Sequence, residues 1–358
     1  MREGSRIKPD VANIDTELQI AGVTKTVTEL QTTIAANIDA ELQTTTATDS
    51  SAPASGKATC PLCPRNCQLT DGSHGWCGAR IAQNGMVAPE SYGRISSLSL
   101  DPIEKKPLAF FHPGSMILSI GGYGCNLDCP FCQNSSIAHG WTDARTDART
   151  VARTDARIKR STEAQKTSLD HGSEVFCATK LVQLAMHEKV RGNIGIAYTY
   201  NEPLIMYEFV FDCARQAHEA GLLNVIVTNG YFNEGPWGEL LPYIDAANID
   251  LKGFTQGFYD RLSAPNGLKT VKRNIEQAAQ RIHVEITTLI VPGLNDSADE
   301  IDALASWIAS IDERIPLHLT RFFPCHRMSD SLPTPIATLH ALAKVAQRHL
   351  VHVCLGNI

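Results

Sequence analysis

No stretch of this chain approaches the roughly 20 consecutive apolar residues that a helical bilayer crossing requires. An excess of basic charge is also missing. Its 32 Lys and Arg face 38 Asp and Glu, a formal net charge of −6, so the chain lacks the electrostatic footprint of a nucleic-acid partner. The polar N-terminus carries Asp10, Asp15 and Glu17, and neither a secretory leader nor a transit peptide is expected there. Residues 1–59 contain no Phe, Tyr, Trp, Cys or His. That stretch is rich in Thr, Ala and Ser, and its segment Ala12–Gln19 returns nearly unchanged at Ala36–Gln43. With so few large apolar groups, burial cannot offset chain entropy, and a disordered tail is expected. An evenly stapled disulfide framework is absent as well. The 11 Cys are odd in number, and most of them fall in two tight clusters. Such grouping suits metal-binding thiols in a reducing cytoplasm.

What is present starts with Cys125-Asn126-Leu127-Asp128-Cys129-Pro130-Phe131-Cys132, a Cys-x3-Cys-x2-Cys pattern with no fourth Cys nearby. A cubane iron–sulfur cluster usually takes four thiolates. Three would leave one iron open, and an open coordination position can bind and activate a ligand. The plainer alternatives are three structural thiols or part of a zinc site. Against them, Ser115–Gly122 reads as a buried strand ending in glycines, and an aromatic residue precedes the last Cys. A second group, Cys60, Cys63, Cys67 and Cys77, contains one Cys-x2-Cys knuckle and reads as a closed site for zinc or a second iron–sulfur cluster.

Apolar residues make up 43 % of the chain, enough for a sizeable core. Strand signals fall at Ile117–Ile120, Ile194–Tyr198, Val225–Thr228, Ala247–Leu251, Val284–Leu289 and Leu317–Phe322, with helical patterns between them. Ser297–Glu300 reads as a capping box, and Thr334-Pro335 as another helix start. Six βα units imply an α/β fold, a parallel sheet curved toward a partial (βα)6 barrel, with its chemistry beyond the carboxyl ends of the strands. The expected organisation is a tail at 1–59, a Cys-rich metal-binding lobe at 60–114 and the barrel at 115–358. Thr-Asp-Ala-Arg recurs at 142–145, 146–149 and 154–157. As a helix this period would stack like charges four residues apart, which opposes helix formation, so a solvated insertion is expected at about 141–173.

Several polar residues fall at strand ends. Glu202 follows the second strand within Tyr200-Asn201-Glu202-Pro203. Asn229 ends the third in Thr228-Asn229-Gly230, a pattern equally compatible with an ordinary turn. Asp250 and Lys252 on the fourth have period-two spacing and can share one face, as a simple buried pair or as ligand contacts. His318 sits on the sixth strand, where a lone histidine is often a satisfied core residue.

The three-thiol loop with its leading strand and glycines resembles the radical S-adenosylmethionine (SAM) superfamily. Cys60–Cys77, Asp101–Pro107, Tyr200–Pro203 and Arg321–Met328 resemble the radical enzyme of the AmmeMemoRadiSam group, a relative of pyruvate formate-lyase activating enzymes. That resemblance implies a TIM-like radical SAM barrel in which Cys125, Cys129 and Cys132 hold a 4Fe-4S cluster whose open iron chelates S-adenosyl-L-methionine. Reductive cleavage would release methionine and a 5′-deoxyadenosyl radical that abstracts hydrogen from substrate. The resemblance also implies that Glu202 meets the methionine ammonium, Lys252 its carboxylate, Asn229 and Asp250 the ribose, and Phe131 and the apolar residues of Leu289–Asp296 the adenine, with structural packing the equal alternative for that stretch and His318 a further cofactor contact. It implies an electron donor such as a flavodoxin or ferredoxin, and an unknown substrate, protein or small molecule. A glycyl-radical enzyme activase and a non-catalytic metal-binding scaffold are the rival expectations.

Overall fold

The computed structural model describes residues 57–139 and 175–358. The duplicated segment of the tail and the Thr-Asp-Ala-Arg insertion lie outside the described residues. Residues 57–59, assigned to the tail by sequence, are among the described residues. Ala58–Thr59 (β1) pairs antiparallel with Gln68–Leu69 (β2), because Ala58 and Leu69 are buried together in a small apolar cluster with Ala82. Next comes a hairpin, Arg80–Gln83 (β3) and Met86–Pro89 (β4). Asn84 and Gly85 close it at φ of 53° and 76°, the left-handed pair that a tight hairpin turn requires.

The main sheet holds eight strands: Ser97–Pro102 (β5), Met116–Gly121 (β6), Asn193–Tyr198 (β7), Leu223–Thr228 (β8), Ala246–Asp250 (β9), His283–Ile290 (β10), Leu317–Arg321 (β11) and Val353–Gly356 (β12). Their spatial order is β12-β11-β10-β9-β8-β7-β6-β5. All neighbours from β6 to β12 are parallel, whereas β5 runs antiparallel to β6. The six expected strands are all present. β5 and β12 extend the sheet at its two edges and were not among the sequence expectations.

Helices cover the outer face. Among the longer ones are Ala178–His187 (α1), Tyr207–Glu219 (α2), Gly267–Ala279 (α3), Ala298–Asp312 (α4) and Ile336–Ala346 (α5). The Ser297 hydroxyl accepts from the Glu300 amide and starts α4, whereas the Glu300 carboxylate accepts from the Phe254 amide at 2.6 Å, so the expected capping box forms by half. Pro335 lies one place outside α5, as its N-cap residue rather than its first helical residue. Outward side chains such as Leu118, Ile120, Ile196, Ile226, Ile249, Ile286 and Leu319 merge with the helices into one core.

The inner face differs. Ile117, Ala197, Val225 and Ala246 form a separate cluster there with Ile103 and Leu108. The segment after β5 therefore folds back over the inner face, near where β9 and β10 begin. Asn248 Nδ2 donates to the Pro107 carbonyl at 2.8 Å, and the Ala109 and Phe110 amides donate to Glu285 at 3.0 and 2.8 Å. Among the described residues, no helix is long and apolar enough to cross a membrane.

Candidate active site

The cluster loop leaves β6 at Gly121 and lies against the turns that follow β7, β8 and β9. Gly124 has φ of 87°, and a side chain on it would collide with the Cys77 carbonyl oxygen, so glycine alone suits this close approach. Side chains from distant elements then clamp the loop. Asn126 Nδ2 donates to the Tyr231 carbonyl at 2.8 Å, and Arg65 Nε to the Asn126 carbonyl at 2.8 Å. The Asp128 amide reaches the Leu262 carbonyl at 3.0 Å. Arg327 grips Asp128 with two nitrogens at 2.6 and 3.2 Å, while its own amide donates to the Pro130 carbonyl at 3.0 Å. The Cys325 thiol donates to the Phe131 carbonyl at 3.3 Å.

Cys129 is buried, and Cys125 and Cys132 are half-buried. Burial pushes the Cys129 thiol up to about 12, opposed by the Lys252 ammonium, and it raises Cys125 and Cys132 as well. Metal binding at such thiols must therefore release protons.

The strand-end residues arrange themselves around this loop. Lys252 Nζ meets Asp250 Oδ2 at 3.0 Å, on side chains 18 % and 29 % exposed, so the pair still faces solvent. Burial alone would lower the Lys252 ammonium, but Asp250, Cys129 and Cys125 hold it above its usual range. Asn295 fixes the backbone beneath it by donating to the Lys252 carbonyl at 2.8 Å. Asn229 Nδ2 points to Cys125 Sγ at 3.7 Å and to Asn126 Oδ1 at 2.8 Å, while its Oδ1 accepts from the Tyr231 amide at 2.9 Å.

Three further residues expected at the cofactor also have protein partners. Glu202 is buried, and its carboxylate accepts from the Leu204 amide at 3.1 Å, the Thr228 hydroxyl at 2.9 Å and the Asn229 amide at 2.8 Å. These bonds use three of the carboxylate's roughly four acceptor sites and tie the β7 turn to the β8 turn. Burial raises its carboxyl to about 7 against these three hydrogen bonds. Phe131 is buried and packs on Phe258, with ring centroids 6.1 Å apart, because the loop turns it into the core. His318 is buried on β11, and its Nε2 lies 2.6 Å from Glu285 Oε2 on the inner face.

The donor set of the loop fits an iron–sulfur core: three soft sulfurs, an amide N–H aimed at one of them and an ammonium beside another. Among the described residues no three His, Cys, Asp or Glu side chains converge tightly enough to hold a single metal ion.

Residues 119–308 match the family model described as the radical SAM superfamily. The chain belongs to this superfamily. An uncharacterized protein of Methanocaldococcus jannaschii is 34 % identical over 306 residues, covering 84 % of this chain and 82 % of that protein. The pyruvate formate-lyase-activating enzyme of Clostridium pasteurianum is 28 % identical over 205 residues, 54 % of this chain and 72 % of that one. A solved domain of a pyruvate-formate lyase-activating enzyme from Bacteroides vulgatus has a TM-score of 0.40 at 19 % identity, covering 46 % of this chain and 99 % of that domain. Family membership brings a 4Fe-4S cluster, S-adenosylmethionine and 5′-deoxyadenosyl radical chemistry to this radical SAM enzyme.

Sequence reasoning did not single out Arg65, Asn126, Asp128, Arg327 or Asn295 as supports of the site. Arg327 and Arg65 do lie within quoted family-like segments, but their partners are 199 and 61 residues away in the chain. Local spacing carries no signal for contacts of that range.

Proposed function

We propose that this radical SAM enzyme abstracts hydrogen from a small polar substrate held on the inner face of the sheet, within an AmmeMemoRadiSam-type system. In this reading Cys125, Cys129 and Cys132 hold the cluster, and Lys252 and Asp250 face S-adenosylmethionine. Bound there, the reduced cluster supplies the electron that cleaves the sulfonium and generates the 5′-deoxyadenosyl radical. Asn229 orients Cys125, Glu202 positions Asn229, and Asn295 positions Lys252.

The observation that carries the reading is a buried polar network in the motif Asp101–Pro107. Asp101 pairs with Ile117 in the β5–β6 register and so shares the inner face. Lys106 Nζ, on a side chain 3 % exposed, donates to Asp101 Oδ2 at 2.9 Å and lies 4.9 Å from the centroid of the Tyr200 ring. The Tyr200 hydroxyl donates to the same carboxylate at 2.8 Å. Tyr200 holds a left-handed φ of 71°, a backbone conformation that costs of order 1–3 kcal/mol in a non-glycine residue and gathers at functional sites. Asn248 Oδ1 and Thr287 Oγ1 are buried without a protein partner, and their strand register puts both on one face. A buried unpaired polar atom is costly, so these two are natural acceptors for a hydroxyl- or amino-bearing ligand.

Relatives named as activating enzymes favour a second reading, hydrogen abstraction from a protein glycine. An anaerobic extract of the source cells separates the two. It is divided by size and added to the cluster-loaded protein with S-adenosylmethionine and reductant. Stimulation of 5′-deoxyadenosine formation by the small-molecule fraction is expected. A glycyl-radical signal in electron paramagnetic resonance, appearing only with the protein fraction, would favour the second reading. Cys125→Ala, Cys129→Ala and Cys132→Ala should each abolish 5′-deoxyadenosine formation, which separates both readings from a non-catalytic scaffold.

A further inference from the structure

Cys60, Cys63, Cys67 and Cys77 all line one enclosed cavity in the N-terminal lobe, and no carboxylate or histidine lines it. Backbone turns hold the thiols there. The Cys60 amide donates to the Cys67 carbonyl at 3.0 Å, and the Asn66 amide to the Cys63 carbonyl at 3.0 Å, with Asn66 at φ of 41°. Cys77 lies between the Gly75 amide, bonded to the Arg80 carbonyl at 2.9 Å, and the Gly78 amide, bonded to the Gly75 carbonyl at 2.9 Å. Arg65 and Arg80 also line the cavity, the Arg80 guanidinium paired with Glu208 at 2.7 Å. Four sulfur donors with no competing oxygen ligand suit a soft core.

Position gives this second site a role. Asn126 lines the cavity and is the residue bonded to Cys125. Asn229 Nδ2 links Asn126 Oδ1 and Cys125 Sγ, at 2.8 and 3.7 Å. Arg65 spans from the cavity wall to the Asn126 carbonyl. The Cys77 carbonyl meets the backbone at Gly124, so two ligand-bearing turns touch directly. On the opposite side Trp76, 50 % exposed, stacks on Arg65 with the guanidinium 4.2 Å from its ring centroid, which brings the cavity close to solvent.

We propose that the four thiols of the N-terminal lobe bind a second iron–sulfur cluster that relays electrons, one at a time, through Asn126 to the cluster on Cys125, Cys129 and Cys132. A low-potential one-electron protein donor of the ferredoxin or flavodoxin class reduces the outer cluster. The outer cluster is reoxidised as the inner one is reduced, so no bond is made or broken and no proton moves. The relay's destination rests on the radical SAM reading, whereas the presence of the outer cluster does not.

The test uses the full-length chain purified without oxygen. The triple variant Cys125→Ala, Cys129→Ala, Cys132→Ala isolates the outer site. It should retain about four iron and four acid-labile sulfide per chain, with a paramagnetic signal on reduction by dithionite. Zinc without sulfide, or no metal at all, overturns the proposal. In the wild-type protein mixed with reduced ferredoxin, rapid freezing should catch the outer cluster's signal before the inner one's. The reverse order, or simultaneous reduction, overturns the relay. The variant Cys60→Ala, Cys63→Ala gives a further check. With its inner cluster loaded, that cluster should be reduced by ferredoxin several-fold more slowly than in the wild type, and an unchanged rate again overturns the relay. Failure of the wild-type protein to form 5′-deoxyadenosine would instead count against the radical SAM reading and leave the iron and sulfide result standing.

Discussion

Replacing His318 by Ala separates a histidine that serves the cofactor from one that serves the sheet. Its partner Glu285 is 0 % exposed and accepts four hydrogen bonds, from the Ala109 and Phe110 amides and from His283 and His318, the last the shortest at 2.6 Å. A hydrogen bond to a charged group contributes about 1.5–3 kcal/mol. His318→Ala removes one of these four and leaves a void where the ring was. Three donors remain, so the cost stays toward the low end of the roughly 3–5 kcal/mol found when a buried pair is broken outright. About 2–3 kcal/mol is expected, or a melting temperature lower by about 4–6 °C for a domain of this size. His318→Gln keeps a donor and should cost about 1 kcal/mol or less.

Calorimetry of the cluster-loaded enzyme reads the melting temperature, and 5′-deoxyadenosine formed per bound iron reads the chemistry. The second quantity should stay near wild type in both variants. An unchanged melting temperature with lost 5′-deoxyadenosine formation would refute the structural role. A pH series adds a check. Burial alone would raise the Glu285 carboxyl, but His283, His318 and the two amides hold it at about 2, below its ordinary 4.5. Because the folded value is the lower one, the stabilisation is complete above about pH 4.5 and is lost progressively as pH falls toward 2. His318→Ala should move the acid-unfolding midpoint to higher pH.

Asn229→Ala removes an N–H donor from Cys125 and should make the cluster's reduction potential more negative, read by a redox titration followed by paramagnetic resonance; an unchanged potential would mean the amide does not tune the sulfur. Gly124→Ala combines a left-handed backbone with a collision against Cys77, and should lower iron content and melting temperature together, checked by metal analysis and calorimetry. Lys106→Met leaves Asp101 with the exposed Lys105 at 3.3 Å and the hydroxyls of Tyr200 and Ser99, and should destabilise by about 2–4 kcal/mol in denaturant unfolding. Adding Asp101→Asn should recover part of that loss, because the uncompensated buried carboxylate is then gone.

The sequence by itself determined what short spacing can encode. Three thiols within eight residues define a cluster loop, short apolar runs define the six inner strands, and Ser297 ahead of Glu300 starts a helix, because each of these is decided by neighbours along the chain. It was less informative at the sheet edges. β5 alternates Ser and Leu and was legible in principle, while β12 is only four residues long. Tertiary structure decided what each polar side chain faces. It turned Glu202 inward to three donors, two of them on the neighbouring strand's turn, and paired His318 with Glu285. It also drew Asp101, Lys106 and Tyr200 into one buried network and set the four-thiol cavity against Asn126. The physical reason is partner competition: a buried carboxylate or amide takes the donors that sheet register brings within about 3 Å, and register is a long-range property.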